Sequence, residues 1–307
     1  MQLKQILVTG GAGYIGSHAC LELLENDYNV IVVDNLCNSS LESIKRVEKL
    51  SGKKITFIKE DVQSKSGIEG VFNQNKIDAV IHFAGLKAVG ESVIKPITYY
   101  QNNIVGTLNL LKIMQHNNVK NIVFSSSATV YGQPETLPIK EDFPTSATNP
   151  YGRSKLYIEE ILKDIYLADS SWNISILRYF NPVGAHESGE IGEDPNDMPN
   201  NLMPYISQVA IGKLKQLPIY GDHYATKDGT GIRDYIHVLD LVKGHIKALL
   251  KLETKPGVIT HNLGTGIGIS VLEMVNEFEK ESKQKIKYQI VGRRLGDVAE
   301  CFADPTK

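Results

Sequence analysis

The chain has 307 residues, of which 42% are hydrophobic and 22% are charged, and its formal net charge is −2. This is the composition of an ordinary globular protein, long enough for one large or two modest domains. The lack of a basic excess argues against nucleic acid or an anionic membrane as a partner, and no apolar run is long enough to span a bilayer.

The residues that usually bind metals or form disulfides are scattered. Cys20, Cys37 and Cys301 are far apart and form no C-x-x-C pair, which argues against a disulfide scaffold and a zinc site. The histidines show no ligand spacing, and His82, within an apolar run, is predicted to pack in the core.

The first predicted strand begins so close to Met1 that a signal peptide is not expected. Together with the cysteine usage, this predicts a reducing, cytoplasmic location.

A glycine-rich turn near the start of the chain is the first functional signal. Residues 4–9 have the apolar side chains of a buried strand, residues 17–25 are predicted to be helical, and Gly10, Gly13 and Gly16 lie between them. Glycine allows a tight turn and lets the backbone approach a pyrophosphate, and the following helix offers free N–H groups to an anion. The turn predicts a dinucleotide site, with a purely structural turn as the alternative.

An acidic residue after the second predicted strand indicates which dinucleotide is bound. The strand covers residues 29–33 and ends at Asp34, eighteen residues after Gly16. This is close to the spacing of the carboxylate that binds an adenosine ribose. Because a carboxylate there repels the 2′-phosphate of NADP, the sequence predicts NAD.

Strand and helix patterns alternate through the first 180 residues. Helices are predicted over residues 41–50, 68–75, 99–116 and 151–168, and strands over residues 55–59, 79–83, 122–125 and 174–177. This alternation predicts a Rossmann-type, doubly wound parallel α/β sheet with helices on both faces. Ligands bind at the carboxyl ends of such strands, which places Asp61, Phe83 and Lys87 near a cofactor.

The character of the chain changes near residue 181. Residues 184–201 are rich in glycine, proline, asparagine and acidic side chains and are predicted to form a loop. We therefore predict a dinucleotide-binding domain over residues 1–180 and a smaller, substrate-binding α/β domain over residues 181–307. In the second domain, helices are predicted over residues 203–213, 238–252 and 270–279, and a strand over residues 218–220.

Three arginines of the second domain are candidate phosphate ligands. Arg233, Arg293 and Arg294 each carry a planar guanidinium, which can bind a phosphate through two parallel hydrogen bonds. Taken one by one, each is more readily explained as a solvated surface arginine.

The clearest catalytic chemistry lies in the stretch PYGRSK, residues 150–155. Tyr151 and Lys155 are four residues apart, which on a helix puts both side chains on one face. An ammonium beside a phenol lowers the pKa of the phenol from about 10, so the pair is a candidate general base. Ser127, at the end of a serine run, is placed to complete a site that removes a proton from an alcohol. A chance helical pair is the alternative.

Nine stretches spread over nearly the whole chain carry a resemblance to a known family. They are VTGGAGYIGSH, DNLCNSS, HFAGLKAVGES, FSSSATVYG, NPYGRSK, LRYFNPVGAH, NNLMPYISQVA, DGTGIRDYIHV and RRLGD. The chain resembles the extended short-chain dehydrogenase/reductase superfamily and, within it, the UDP-glucose 4-epimerase family. The resemblance implies an isomerase that interconverts UDP-galactose and UDP-glucose.

The resemblance also implies a role for each catalytic residue. Tyr151 would take the proton from the sugar 4-hydroxyl, Lys155 would lower the pKa of that tyrosine and bind the nicotinamide ribose, and Ser127 would hydrogen-bond to the reacting oxygen. NAD would accept the hydride from carbon 4, and the bound 4-keto sugar would rotate before the hydride returns to its other face. A homodimer through the helices predicted over residues 99–116 and 151–168 is implied as well.

Ligand contacts are implied by position. On the cofactor side the matching residues are Gly10, Gly13, Tyr14, Ile15, Gly16, Asp34, Asn35, Asn38, Ser39, Asp61, Val62, Phe83, Ala84, Gly85, Lys87, Asn102, Tyr151, Lys155 and Phe180. On the UDP-sugar side they are Ser127, Tyr151, Asn181, Asn201, Leu202, Pro218, Ile219, Tyr220, Arg233, Arg294, Asp297 and Cys301. No metal ligand is implied.

The chain departs from the family pattern in two places. The spacing from Ser127 to Tyr151 is 24 residues, one shorter than usual, and the missing residue falls in the loop 133–149. The site is therefore expected to survive. The chain stops at Lys307, whereas family members usually continue for some tens of residues, so a C-terminal truncation is expected.

Cys301 bears on substrate specificity. It follows Asp297 in the stretch that lines the sugar end in this family, where some members carry a bulky tyrosine. Because a cysteine leaves more room, the sequence predicts that N-acetylated UDP-sugars are also accepted. A buried cysteine that touches no substrate is the alternative.

Two other functions are compatible with the same fold. Nucleotide-sugar dehydratases and decarboxylases resemble this chain, but dehydratases carry an acidic side chain after the catalytic Ser or Thr, whereas Ala128 and Thr129 follow Ser127 here. A non-catalytic NAD-binding regulator usually lacks the tyrosine or the lysine, and both Tyr151 and Lys155 are present.

Overall fold

The computed structural model of the protein describes residues 4–195, 198–294 and 296–307. Its strands are β1 Gln5–Thr9, β2 Asn29–Asp34, β3 Thr56–Lys59, β4 Ala79–His82, β5 Asn121–Ser127, β6 Asn173–Tyr179, β7 Asn181–Val183, β8 Leu217–Tyr220, β9 Ile232–His237, β10 Val258–Leu263, β11 Gly268–Ser270, β12 Tyr288–Val291 and β13 Glu300–Cys301. Its α-helices are α1 Tyr14–Glu25, α2 Leu41–Ser51, α3 Lys65–Gln74, α4 Val89–Ile94, α5 Pro96–Tyr100, α6 Gly106–His116, α7 Pro150–Ala168, α8 Leu202–Ala210, α9 Val238–Leu252 and α10 Val271–Ser282.

The larger sheet has seven strands, all parallel, in the order β3-β2-β1-β4-β5-β6-β10. The strands from β3 to β6 follow the doubly wound Rossmann order, so the predicted α/β fold class is confirmed. Side chains alternate between the two faces: Ile6 and Val8 belong to one apolar core and Leu7 to the other. All three are fully buried.

Helices cover both faces of this sheet. α1, α2 and α9 supply apolar side chains to one layer, and α3, α6 and α7 supply them to the other. Strands buried on both faces need apolar residues at consecutive positions, which explains the apolar runs in the sequence. Among the described residues, no helix is long and apolar enough to cross a membrane.

The smaller sheets are built by the part of the chain that follows β6. β9 pairs antiparallel with β11 and parallel with β13 and β7, while β8 and β12 form a separate parallel pair. The chain then returns to the larger sheet, because β10 pairs with β6. Residue 181 therefore marks where the chain first leaves that sheet. The division into domains 1–180 and 181–307 stays a prediction.

Several elements differ from those predicted. The helix predicted over residues 99–116 is interrupted, because α5 is followed by a π-helical turn over Gln101–Val105 before α6 begins. α4 is only six residues long and β10 contains polar residues, so neither has a clear sequence signal. α1 begins at Tyr14, with Gly13 as its N-cap. Residues 196 and 197 of the predicted loop 184–201 lie outside the described residues.

A buried ion pair ties α7 to the larger sheet. The carboxylate of Glu159 on α7 accepts hydrogen bonds from the Arg178 guanidinium of β6 at 2.6 and 3.0 Å, and both side chains are buried. Ser126 of β5 donates to the same carboxylate. Arg178 also donates to the Tyr131 hydroxyl at 2.9 Å. One helix is thereby connected to two neighbouring strands.

We expect Glu159→Gln to lower the free energy of unfolding by about 3–5 kcal/mol, because Arg178 would remain buried without its counter-charge. Urea unfolding followed by circular dichroism measures this loss. Glu160→Gln is the matched control: Glu160 pairs with Lys163 on the surface at 2.7 Å, where ion pairs contribute about 0–1 kcal/mol. Equal losses in the two variants would contradict the role given to Glu159.

Candidate active site

The glycine turn packs directly onto the carboxyl end of β4. Gly10 has a φ of +73°, and a Cβ atom there would lie 2.8 Å from the backbone nitrogen of Ala84. A Cβ atom at Gly16 would overlap the carbonyl oxygen of Gly10, and Gly13, the N-cap of α1, supplies no side-chain cap. The turn therefore presents bare backbone and the first N–H groups of α1, as a pyrophosphate requires.

Asp34 lies beside this turn, as its spacing from the glycines predicts. Its Oδ2 atom accepts a hydrogen bond from the backbone nitrogen of Ala12 at 3.0 Å. Its Oδ1 atom accepts from the backbone nitrogen of Leu36 at 2.9 Å and from Ser39 Oγ at 2.8 Å. The carboxylate thus holds the glycine turn against the loop after β2, in which Asn38 is exposed.

Three further residues predicted for the cofactor lie where β2 and β3 end. Asn35 Nδ2 donates to Asp61 Oδ2 at 2.8 Å, and Asp61 Oδ1 accepts from the backbone nitrogen of Gln63 at 2.8 Å. Val62 is buried and packs closely against Gly106 at the start of α6. These contacts fix the loop after β3 in place beside the loop after β2.

The first residues of α1 connect the glycine turn to the segment after β7. Ile15 is half-buried against the core, and the Tyr14 hydroxyl donates to the carbonyl oxygen of Gly184 at 2.6 Å. Burial raises the pKa of Tyr14, and the negative charge of Glu193 raises it further. The Tyr14 hydroxyl therefore stays protonated and keeps its role as a donor.

The loop after β4 brings the predicted cofactor side close to Lys155, the predicted catalytic lysine. The backbone nitrogens of Phe83 and Ala84 both donate to the carbonyl oxygen of Thr9 at 3.0 Å. A Cβ atom at Gly85 would lie 3.7 Å from Lys155 Nζ. Residues from β1, β4 and α7 thus meet at one edge of the sheet.

An asparagine with no sequence signal holds this loop. Asn103 Oδ1 accepts from the backbone nitrogen of Leu86 at 2.8 Å, and its Nδ2 donates to Ser154 Oγ at 2.9 Å. Asn103 is buried, whereas Asn102 is only half-buried. Both lie in the π-helical turn, which a sequence pattern for a regular helix does not anticipate. The contact predicted between Asn102 and the cofactor stays a prediction.

Lys155 is buried on α7 directly over the end of β5. Its Nζ atom donates to the carbonyl oxygen of Ser125 at 2.7 Å and lies 5.0 Å from the centroid of the Phe124 ring. Burial lowers the pKa of Lys155 to about 8, and the carboxylate of Glu159, one turn further along α7, opposes this shift. The lysine therefore remains mainly an ammonium at neutral pH.

Tyr151 contacts the same strand end through Ser127. α7 begins at this place because the side chain of Asn149 accepts a hydrogen bond from the backbone nitrogen of Gly152 at 2.9 Å. Ser127 Oγ accepts from Thr129 Oγ1 at 2.9 Å, which leaves its own proton available for a neighbouring oxygen. The Ser127 side chain is close enough to Tyr151 to lower the pKa of the phenol.

The pKa of Tyr151 differs from the prediction. Burial raises it above the ordinary value, and the hydrogen bond with Ser127 offsets only part of the rise. This direction is opposite to the one predicted from the spacing of Tyr151 and Lys155. The physical reason is that burial of the phenol disfavours its charged form, and this desolvation is the largest cause of the shift.

Two of the three candidate arginines converge on one carboxylate. Asp297 Oδ2 accepts a hydrogen bond from Arg294 Nε at 3.1 Å, and Asp297 Oδ1 lies 3.9 Å from Arg233 Nη2. The Arg294 guanidinium also stacks 4.4 Å from the centroid of the Tyr220 ring. Arg293 lies outside this group, because its guanidinium stacks on the Tyr224 ring instead. Arg233 and Arg294 together form a candidate anion site.

A short apolar cluster connects this candidate anion site to Ser127, the predicted catalytic serine. Cys301 pairs with Arg233 across β13 and β9 and is packed against a cluster that contains Phe180 and Ala128. Ala128 directly follows Ser127 in the chain. Cys301 is half-buried.

The remaining residues predicted for the UDP-sugar frame this region. Asn181 begins β7, Leu202 begins α8, and Pro218 and Ile219 lie in β8. The Ile219 side chain is buried in the core shared by α8 and α10, so any contact with a ligand involves its backbone.

Glu193 connects residues from the two predicted ligand sides, although nothing in the sequence marks it. Its Oε1 atom accepts from Lys87 Nζ at 2.8 Å and from Asn201 Nδ2 at 2.6 Å. Asn201 is the N-cap of α8, yet its side chain makes no capping hydrogen bond. Lys87 is 106 residues away in the chain, so no local pattern could have predicted the contact.

Among the described residues, the side chains that a metal site and a dehydratase site would need are not in place. No group of three or more His, Cys, Asp or Glu side chains there is arranged to hold a metal ion. The 3₁₀ turn Ala128–Tyr131 that follows Ser127 contains no carboxylate. The acid expected of a dehydratase is therefore missing at that position.

Comparison with known proteins identifies the family. The family model described as GDP-mannose 4,6 dehydratase matches residues 7–307. A UDP-glucose 4-epimerase from Bacillus subtilis is 60% identical over 302 residues, which cover 98% of this chain and 89% of the relative. This chain belongs to the UDP-glucose 4-epimerase family. The resemblance that the nine stretches carry is thereby confirmed.

Solved structures of epimerases agree with this membership. UDP-glucose 4-epimerase from Bifidobacterium longum, in complex with NAD+ and UDP, is 57% identical with a TM-score of 0.97, covering 99% of this chain and 91% of that one. The UDP-Glc/GlcNAc 4-epimerase from Campylobacter jejuni is 38% identical with a TM-score of 0.84, again covering 99% and 91%. The epimerase fold is therefore shared along nearly the whole chain.

Proposed function

We propose that this chain is an NAD-dependent epimerase that interconverts UDP-galactose and UDP-glucose at carbon 4 of the sugar. The observation that carries the proposal is the arrangement of Tyr151, Ser127 and Lys155 at the sheet edge that also holds the glycine turn. Membership in the UDP-glucose 4-epimerase family supports it.

NAD fits the residues at this edge. The glycine turn presents backbone where a Cβ atom would clash, Asp34 offers a carboxylate for the adenosine ribose, and Lys155 lies beside Gly85 for the nicotinamide ribose. The related epimerase from Bifidobacterium longum was crystallised with NAD+ and UDP. When bound, NAD supplies reversible hydride transfer at carbon 4.

The proton is handled by the chain's own residues. The Tyr151 oxygen is the group that accepts the proton of the sugar 4-hydroxyl and returns it, and Ser127 directs its hydrogen bond to the same oxygen. Since burial raises the pKa of Tyr151, the tyrosine acts as a base only when positive charge stabilises its phenolate. The Lys155 ammonium is the cation that α7 supplies.

The sugar nucleotide is bound through its diphosphate. Arg233 and Arg294 approach one another at Asp297, and a diphosphate between the two guanidinium groups would gain charge-assisted hydrogen bonds. Anchoring at the diphosphate leaves the sugar free to turn, so that either face of carbon 4 can be presented to the cofactor.

The proposed function is tested by mixing the purified protein with UDP-galactose, with and without added NAD. We expect UDP-glucose to appear without net NADH, and activity without added NAD would show that the cofactor is retained.

Tyr151→Phe should reduce turnover by about 10²–10⁴-fold while NAD still binds. Tyr157→Phe removes a hydroxyl from an exposed position of the same helix and is the matched control. Persistent activity in Tyr151→Phe would rule out this base.

We also propose that two copies associate through the face built by α4 to α7. Ile94 and Ile97 on this face are 79% and 81% exposed, and Leu108 and Tyr157 are exposed beside them. Several large apolar side chains exposed on neighbouring helices are typical of an interaction surface.

The three cysteines are free thiols, which supports the cytoplasmic location predicted from the sequence.

Sedimentation analysis tests the homodimer. We expect the wild type to sediment as a dimer and Ile97→Glu to sediment as a monomer, because the charge would be buried without a partner. Ile211→Glu is the control, since Ile211 is 77% exposed after α8 and lies outside this face. A monomeric wild type, or equal dissociation by both substitutions, would contradict the proposed surface.

Acceptance of N-acetylated UDP-sugars is a second substrate proposal. The half-buried Cys301 is the partner of Arg233 in the sheet, and the Campylobacter jejuni relative is described as a UDP-Glc/GlcNAc epimerase. A small side chain between the arginine and the catalytic serine leaves space for an acetamido group.

Cys301→Tyr should lower turnover of UDP-N-acetylglucosamine by about tenfold or more, because overpacking costs about 1–3 kcal/mol. Turnover of UDP-galactose should change far less. Chromatographic assays of both substrates measure the ratio, and Ile211→Tyr, at a position that is 77% exposed after α8, is the control. Equal losses on both substrates would remove the steric explanation.

A further inference from the structure

We infer that His82 is a positioning residue for the cofactor, because it holds the loop after β4, residues 83–87, in the place that NAD needs. The inference rests on the proposed function, which supplies the cofactor. Its basis is a chain of buried hydrogen bonds that runs from β1 through the His82 ring to α6 and the π-helical turn before it. The chain consists of Thr9, His82, Thr107 and Asn103.

Both nitrogens of the His82 ring are bonded to hydroxyl groups. His82 Nδ1 lies 2.6 Å from Thr9 Oγ1 at the end of β1, and His82 Nε2 lies 2.8 Å from Thr107 Oγ1 on α6. The Thr107 hydroxyl also lies 2.6 Å from the carbonyl oxygen of Asn103. All four residues are at most 2% exposed, so water does not compete for these bonds.

The partners of the ring decide which nitrogen carries the proton. A carbonyl oxygen only accepts, so the Thr107 hydroxyl donates its single proton to Asn103. It has only lone pairs left for His82, and Nε2 is therefore the protonated nitrogen. Nδ1 remains as an acceptor and takes the proton of Thr9 Oγ1. Every bond in the chain points in the same direction, which strengthens each of them.

The ring stays neutral, as this pattern requires. Burial and the positive charge of Lys155 lower the pKa of His82 to about 3. An imidazolium would donate from both nitrogens, and the Thr9 hydroxyl would then lose its acceptor. At neutral pH the chain therefore has one arrangement of its protons.

Both ends of the chain act on the loop after β4. At one end, Thr9 Oγ1 accepts a hydrogen bond from the backbone nitrogen of Ala84 at 3.4 Å. At the other end, the Asn103 side chain bonds both backbone groups of Leu86: its Oδ1 atom accepts at 2.8 Å and its Nδ2 atom donates at 3.0 Å. Gly85 lies between these two fixed residues.

Asn103 also sets the distance between this loop and α7. Its Nδ2 atom donates to Ser154 Oγ at 2.9 Å, and the next residue is Lys155, which is proposed to bind the nicotinamide ribose. A ligand site keeps its geometry only when the residues behind it are themselves held. Without the chain, the loop and Lys155 lose the fixed spacing that the bound cofactor requires.

The test loads the protein with NAD, dilutes it into buffer without NAD, and follows the released NAD by chromatography. Thr107→Val keeps the shape of the side chain but removes the hydroxyl, so we expect NAD to leave about tenfold faster. Thr107→Ser keeps the hydroxyl and should release NAD at the wild-type rate. The dissociation constant for UDP, measured by calorimetry on the NAD-loaded protein, should stay the same in both variants. A general loosening of the fold would weaken both ligands.

Ser175→Ala is the matched control. It removes a buried hydroxyl of β6 that has no hydrogen-bond partner among the described residues, so the rate of NAD release should not change. An unchanged rate in Thr107→Val, a rate in Thr107→Ser as fast as in Thr107→Val, or an equally fast rate in Ser175→Ala would each overturn the inference.

Nitrogen-15 NMR of the histidine rings tests the chain itself and stays decisive if Thr107→Val does not fold. We expect a neutral His82 ring with its proton on Nε2, and Thr107→Ser assigns its signals by shifting them selectively. A proton on Nδ1, or a charged ring at pH 7, would overturn the inference. Wild-type protein that retains no NAD would instead contradict the proposed function, on which the inference rests, so the two failures are distinguishable.

Discussion

Three successive turns of α7 contact three consecutive residues at the end of β5, and the geometry of the candidate active site depends on this contact. Tyr151 meets Ser127, Lys155 donates to the Ser125 carbonyl, and Glu159 accepts from Ser126. The side chains lie four residues apart on the helix, so each helical turn adds one bond to the strand. Any shift of the helix along the strand would break all three contacts together.

The same contact explains how charge can be buried near the reacting groups. Glu159 is satisfied by Arg178 and Ser126, and its negative charge offsets part of the desolvation that lowers the pKa of Lys155. A buried lysine without such a neighbour would lose its proton more readily. The ion pair therefore serves both the attachment of α7 and the charge state of its lysine.

Much of the fold and part of the site follow from local sequence signals. The glycine turn, Asp34 and the Tyr151–Lys155 spacing are set by short-range geometry, and the structure places them at one sheet edge. Asn103 and Glu193 could not be predicted, because a π-helical turn and a contact across 106 residues determine their roles. The pKa of Tyr151 was predicted in the wrong direction, since spacing on a helix says nothing about burial.

The return of the chain to the larger sheet as β10 has a consequence for the order in which the protein can be assembled during synthesis. The edge of β6 acquires its partner only when residues 258–263 have left the ribosome, after α8, β8 and β9 have been made. Until then a hydrophobic strand has one row of open backbone groups, the kind of edge that invites pairing with other chains. Completion of the cofactor-side sheet is thus delayed until most of the sugar-side elements exist.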